Sequence, residues 1–312
     1  MNEAEEFTED EVITEDEAIE EGKDEPMAVQ EEVYGVLKGY TRHENVRLVA
    51  RGNAAILSAL YIVKKVNPKP FILVPDQGGW ISFKTYPSMF GFQVKTVKTN
   101  RGLIDLIDLE KKADGGAALL MTSFAGYFAE QPLKYAASIC HKHNCLLIED
   151  ATGAIGDEEL CNGEHSDIIV GSFGKWKPVD NAYGGFISVK DPEYFRKGKE
   201  VLSATNFFPE FDKLKDKLKC VKQKLELMLK LQKEVKKELE QLGVKVLHAN
   251  LRGLNVVVKP MKPEQKEEII KYCDDNLFNY VECPRYIRVD EDAISIELKR
   301  LNFDKSVSIK EV

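Results

Sequence analysis

From residue 46 onward the chain alternates short apolar runs with stretches of helical period, and this alternation constrains the fold more than any other feature. The runs fall at 46–50, 71–74, 93–97, 117–121, 145–148, 168–170 and 186–189. Between most of them lie amphipathic segments such as 54–66 and 132–143, in which apolar residues recur every three to four positions. A run of four or five apolar residues suits a strand buried on both faces, and the intervening helices supply the crossovers that parallel strands need. The expected fold class is therefore α/β: a mostly parallel central sheet covered by helices, binding its ligands at the carboxyl ends of the strands.

The flanks differ in texture. The first 25 residues hold 10 Glu, 3 Asp and one Lys, a formal −12 against −8 for the whole chain, so the rest is net +4. Residues 1–28 are expected to form a disordered acidic tail. A large domain is expected over 29–205, and a long connecting helix plus a small C-terminal α+β domain over 206–312. That helix is signalled by Leu214, Leu218, Val221, Leu225, Met228, Val235, Leu239 and Leu242, a stripe interrupted only at Gln232. Beyond it the pattern reads strand at 244–247, strand at 254–258, helix at 263–276, strand at 286–289 and strand at 293–298.

Composition excludes several function classes. No run approaches the roughly 18 apolar residues of a membrane span, and the start is acidic where a secretory leader is basic and then apolar. A cytoplasmic protein with no membrane partner is expected. The six cysteines are scattered, without a C-x-x-C pair or zinc-ligand spacing, so reduced thiols and no metal are expected. The mildly basic body suits small anionic ligands, but it lacks the clustered basic stripe of a nucleic-acid binder.

Three strand ends carry residues with chemical potential. At the first, Arg51-Gly52-Asn53 leads into a helix opening Ala54-Ala55. Small residues there let a phosphate approach free backbone amides at the positive end of the helix dipole, although a plain tight turn uses Gly-Asn equally well. At the second, four apolar residues deliver Glu149 and Asp150. A carboxylate at the end of a central strand needs a cation or a donor. At the third, Ser172 is followed by Lys175, Trp176 and Lys177, then by Gly184-Gly185. A lysine held in a cleft can act as an amine nucleophile toward a carbonyl.

The order and spacing of these three segments resemble the fold type I pyridoxal-phosphate enzymes, and among them the DegT/DnrJ/StrS sugar aminotransferases, over about 46–189. Arg51 to Ile56 looks like the family's S-G-T-x-A-L phosphate segment. Glu149 to Gly156 resembles its E-D-x-A-Q-A-x-G block. Ser166-Asp167 through Gly185 resembles G-D-x-x-x-F-S-F-x-x-x-K followed by G-E-G-G. The resemblance selects Lys177 over Lys175 and implies pyridoxal 5'-phosphate bound to Lys177 as a Schiff base. Asp150 would pair with the pyridine nitrogen, while Gly52, Asn53, Ala54 and Ser172 would hold the phosphate and Trp80 would lie near the ring. Gly153 replaces the family glutamine that would contact the cofactor, with the adjacent Thr152 as the substitute cofactor-binding residue, and the acid of G-E-G-G is missing from Ala182-Tyr183-Gly184-Gly185.

The function so implied is amino transfer from a donor, Glu or Gln, to a keto group, plausibly of a nucleotide sugar, in a homodimer. Asp180 and Asn181 would then face the partner's cofactor. Arg252, Arg285 and Arg288 are the candidates for the donor carboxylate. Two alternatives remain open: a pyridoxal-phosphate lyase or sulfur-transfer enzyme, for which Cys161 is the cysteine nearest in sequence, and a non-catalytic binding or regulatory protein of the same fold.

Overall fold

A computed structural model describes residues 24–303; residues 1–23, most of the expected acidic tail, lie outside them. The first helix begins at Asp24, before the boundary expected at 28/29. Seven strands form the main sheet: β1 (Asn45–Val49), β2 (Phe71–Pro75), β3 (Gln93–Val97), β4 (Gly116–Thr122), β5 (Leu146–Asp150), β6 (Ile168–Ser172) and β7 (Gly185–Val189). Their order is β1-β7-β6-β5-β4-β2-β3. Only β7 runs against its neighbours β1 and β6; the pairs β6–β5, β5–β4, β4–β2 and β2–β3 are parallel. Each of the seven runs becomes a strand; the five inner ones are covered on both faces, whereas the edge strands leave Arg47 of β1 and Gln93 and Thr96 of β3 exposed.

The helices of ten residues or more among the described residues are α1 (Asp24–Thr41), α2 (Gly52–Val66), α3 (Leu133–Lys142), α4 (Phe211–Gln241) and α5 (Pro263–Asp275). Helix α2 buries Ala55, Ile56, Ala59, Leu60, Ile62 and Val63 against one side of the sheet. On the other side α3 and the middle of α4 pack through Leu133, Ala136, Cys140, Leu225 and Met228. Further along, Val33 and Leu37 of α1 meet Leu214, Leu218 and Val221 of α4. The break in the α4 stripe has a structural use. Gln232 is buried and donates to Phe128 O at 3.3 Å and to Asn255 O at 3.0 Å, tying the helix to two loops.

A second, antiparallel sheet follows α4, in the order β8 (Lys245–Val246), β9 (Val256–Lys259), β11 (Ala293–Ile296), β10 (Tyr280–Cys283). Residues 286–289, expected as a strand, are not one; the strand on that side is β10. Pro284 removes a ladder donor at the end of β10, and Arg285 N–H bonds back to Val289 O at 2.8 Å, closing the segment into a loop. That loop is anchored against the large sheet, since Gly78 N–H donates to Tyr286 O at 2.7 Å. All six cysteines are free. Among the described residues no helix is long and apolar enough to cross a membrane, and no cluster of His, Cys, Asp and Glu could hold a metal.

Candidate active site

A cavity of about 560 Å³ opens across the carboxyl ends of β1, β2, β4, β5 and β6, where a parallel sheet places its ligands. Gly52, Asn53, Trp80, Asp150, Thr152, Ser172 and Lys177 line it together, along with Lys175. Ala54 lies one turn position further in and is not part of the lining. The structure thus brings seven of the eight expected residues to one place from four separate segments of the chain.

The end of the cavity at the start of α2 is built by close approach. Arg51 gives α2 no side-chain cap, and the first helical bond runs from Ala55 N–H to Arg51 O at 3.0 Å. First-turn amides have no intrahelical acceptor and remain available to an anion. A Cβ on Gly52 would stand 2.7 Å from Ser172 Cβ, so no side chain fits there. Gly52→Ala is expected to cost roughly 1–3 kcal/mol through overpacking, read as a lower unfolding midpoint. Asn53 is further fixed by Trp80, whose Nε1–H donates to Asn53 Oδ1 at 2.8 Å.

The two acids at the end of β5 have different roles. Glu149 is fully buried and structural: Ser123 Oγ and Ser166 Oγ donate to it at 2.7 Å each, and Cys161 N–H donates at 2.8 Å. Asp150 lines the cavity, and its Oδ1 is clamped by both the hydroxyl and the amide of Thr152. Its Oδ2 has no hydrogen bond among the described residues. Burial pushes the Asp150 carboxyl up, opposed by the Thr152 bonds and by the charge of Lys177. Thr152 Oγ1 also accepts from Ser172 N–H at 3.0 Å, which locks the ends of β5 and β6 together.

The lysine segment is a turn in which Trp176 and Ala182 adopt left-handed backbone, φ 64° and 61°. Asp180 stabilises it within the chain, accepting from Trp176 N–H at 2.8 Å and from Ala182 N–H at 3.3 Å. Lys175 is exposed, with Nζ 4.9 Å from the Trp176 ring. Lys177 is half-buried, with Nζ 5.2 Å from the centroid of Tyr127.

Several residues that line the cavity escape sequence reasoning. Tyr127, itself left-handed at φ 67°, stands against Gly153, where a Cβ would meet the ring at 3.1 Å. Its ring thus occupies the space that a glutamine at 153 would use. Lys299 and Arg300 reach the cavity from the far C-terminal segment; nothing in their local sequence marks them. Of the arginines considered for a carboxylate, Arg288 lines the cavity but is held by Glu297 at 2.7 Å through both Nε and NH2. Arg252 instead pairs with Glu130 and Asp157 at 2.6 and 2.9 Å, and Arg285 is exposed and donates to Glu282 O at 2.9 Å. Neither Arg252 nor Arg285 lines the cavity. Cys161 does not line it either, and burial raises its thiol far above the ordinary value.

A group with a phosphate, a basic ring nitrogen and a carbonyl fits this site: open amides beside Gly52, a clamped buried carboxylate at Asp150, and an amine at Lys177. Comparison with known proteins agrees. The family model described as DegT/DnrJ/EryC1/StrS aminotransferase family matches residues 17–226, and one described as MJ1341 family C-terminal domain matches residues 222–310. No curated protein matches the chain. Among solved structures, alanine–glyoxylate aminotransferase from Nostoc sp. is similar at TM-score 0.69 and 15% identity, over 90% of this chain and 84% of that one. Cysteine desulfurase from Thermococcus onnurineus NA1 follows at TM-score 0.67 and 12% identity, over 91% and 83%. Ureidoglycine–glyoxylate aminotransferase from Bacillus subtilis gives TM-score 0.63 and 15% identity, over 89% and 82%. At such identities the likeness speaks for the fold, and the family match over two thirds of the chain speaks for descent. The chain belongs to the DegT/DnrJ/EryC1/StrS aminotransferase family and is a pyridoxal-phosphate-dependent aminotransferase of fold type I.

Proposed function

We propose that Lys177 is the amine that holds the cofactor, and that the enzyme moves an amino group from Glu or Gln to a keto group of a nucleotide-linked sugar. The observation that carries this reading is the meeting of Lys177 and Asp150 in one cavity, close enough for the lysine charge to act on the buried carboxylate. Pyridoxal phosphate, when bound, supplies an electron-accepting ring that stabilises a carbanion. Asp150, held by Thr152, would keep a ring nitrogen protonated. Lys177 Nζ would take and return the proton at the substrate's α carbon, a role suited to a half-buried amine. Gly52, Asn53 and Ser172 would orient the phosphate. The nucleotide-linked acceptor is supported by the family match and by the exposed rings of Trp176 and Tyr183 near Arg51 and Lys175 at the cavity mouth.

The alternative of sulfur transfer is disfavoured because no cysteine lines the cavity among the described residues. A homodimer is part of the proposal, with Asp180 and Asn181 beside the partner's site; Asn181 Oδ1 is buried without a hydrogen-bond partner. The test is to mix the protein with pyridoxal phosphate, follow the visible absorbance, reduce with borohydride and locate the added mass in peptides. Label on Lys177 alone is expected. Label on Lys175, or spread over surface lysines, would overturn the assignment.

A further inference from the structure

The part of the cavity wall supplied by residues 287–300 is more cationic than a cofactor phosphate requires. Arg288, Lys299 and Arg300 all line it. The acid nearby, Glu297, is taken up by Arg288 and by Ser295 Oγ at 2.9 Å. Lys299 meets that carboxylate only as an ion pair at 3.5 Å. Arg300 Nε stands at 3.5 Å from it as well and has no hydrogen-bond partner although buried. Among the described residues Lys299 Nζ makes no hydrogen bond, yet its side chain is only 4% exposed. A buried ammonium with unused donors is costly unless a ligand supplies acceptors.

Both side chains are aimed by aromatic rings of the same cavity. Lys299 Nζ lies 4.9 Å from the Tyr127 centroid, and the Arg300 guanidinium lies 4.9 Å from that of Trp176. The backbone fixes this placement: Leu254 N–H donates to Tyr127 O at 2.7 Å, and Lys299 N–H donates to Leu254 O at 3.1 Å. We propose that Lys299 and Arg300 form an oxyanion subsite that receives a carboxylate or phosphate group of the substrate, separate from the cofactor-phosphate cradle at the start of α2. The inference deepens the aminotransferase reading and rests on it only for the identity of the ligand.

Occupancy should be linked to protons. Burial brings the Lys299 ammonium down to about 7; Glu297 opposes the fall, while Lys177, Arg288 and Arg300 add to it. The charged groups facing Lys299 are thus Glu297 and Arg300 from its own turn, Arg288 from the 284–290 loop and Lys177 from the loop after β6. The Tyr127 phenol stands beside it, and α4, which packs against this turn, carries the buried Lys224. An anion that needs the ammonium binds best below pH 7 and loses about tenfold in affinity per pH unit above it, taking up a proton as it binds.

The test is calorimetric titration of the full chain, loaded with pyridoxal phosphate, with glutarate and with inorganic phosphate at about pH 8 in buffers of different ionisation enthalpy. The expected result is saturable binding with proton uptake, weakened at least about tenfold in both Lys299→Met and Arg300→Gln, and freed of its pH dependence in Lys299→Arg. Saturation by glutarate marks a carboxylate substrate, saturation by phosphate a phosphorylated one, and either supports the subsite. Melting curves confirm folding, and if one variant fails to fold the other decides. Binding by neither anion, wild-type affinity in the folded variants, or binding without proton uptake would overturn it. If the visible absorbance shows no cofactor loading, the glutarate titration of the unloaded chain still decides. Loss of affinity in Lys299→Met then upholds the subsite while the cofactor reading falls.

Discussion

On the proposed role of Lys177, Lys177→Ala is expected to lower the rate of amino transfer by about a thousandfold or more, the loss that goes with removing a positioned acid–base group, whereas Lys175→Ala is expected to leave most of the activity in place. The two lysines are separated by one residue, and that residue decides between them. Trp176 takes a left-handed conformation at φ 64° and is pinned by Asp180, so the backbone turns between the two side chains. Lys175 is left exposed over the indole, and Lys177 lies half-buried beside Tyr127, within electrostatic reach of Asp150. Neither lysine holds up the hydrophobic core, so both variants should melt close to wild type. The loss in Lys177→Ala is then chemical and not structural. Steady-state rates with Glu or Gln as donor check this, and equal losses in the two variants would sink the assignment.

The inner strands of the sheet are legible in the sequence because burial on both faces writes itself as continuous apolar runs, which survive without any knowledge of partners, while the edge strand β3 shows only the alternation of a half-covered strand. The meeting of Asp150 and Lys177 in one cavity is legible for a related reason, since both follow the ends of such runs, at the one edge where a parallel sheet presents its ligands. Helix α1 is harder to see: its buried contribution is Val33 and Leu37, a stripe too thin to stand out before α4 is known to cover it. The segment 286–289 alternates like a strand, but Gly78 and Val289 hold it as a loop through backbone bonds that no local pattern announces. Tyr127, Lys299 and Arg300 are invisible for the deepest reason. Each is an ordinary residue in its own segment, and each acquires meaning only because Tyr127 O, Leu254 and Lys299 are hydrogen-bonded in series across 172 positions of sequence, from 127 to 299. Gly153 shows the same limit from the other side, since its departure from the family pattern reads as a loss until the Tyr127 ring is found in the space it leaves.

Glu297→Gln is expected to destabilise the fold by about 3–5 kcal/mol, the range for removing one partner of a buried ion cluster. Glu297 is wholly buried, Arg288 and Lys299 are 5% and 4% exposed, and Arg300 completes the group at 24%. The glutamine retains the shape and some hydrogen bonding but leaves the three cations facing one another without a counter-charge. Burial alone would raise the Glu297 carboxyl; Arg288, Lys299 and Ser295 outweigh it and hold the group down to about 2, against an ordinary 4.5. With the folded value below the unfolded one, the carboxylate's contribution is complete above about 4.5 and is lost as the pH falls toward 2. Denaturant unfolding across that window should therefore show wild-type stability falling with acid, and a correspondingly flatter profile in Glu297→Gln. Adding Arg288→Met to the variant should restore part of the stability, because it removes the charge left uncompensated. A single variant within about 1 kcal/mol of wild type at neutral pH would show that solvent, and not Glu297, balances these cations. In that case the cationic wall of the cavity would be cheap to maintain and would need no anionic ligand to explain it.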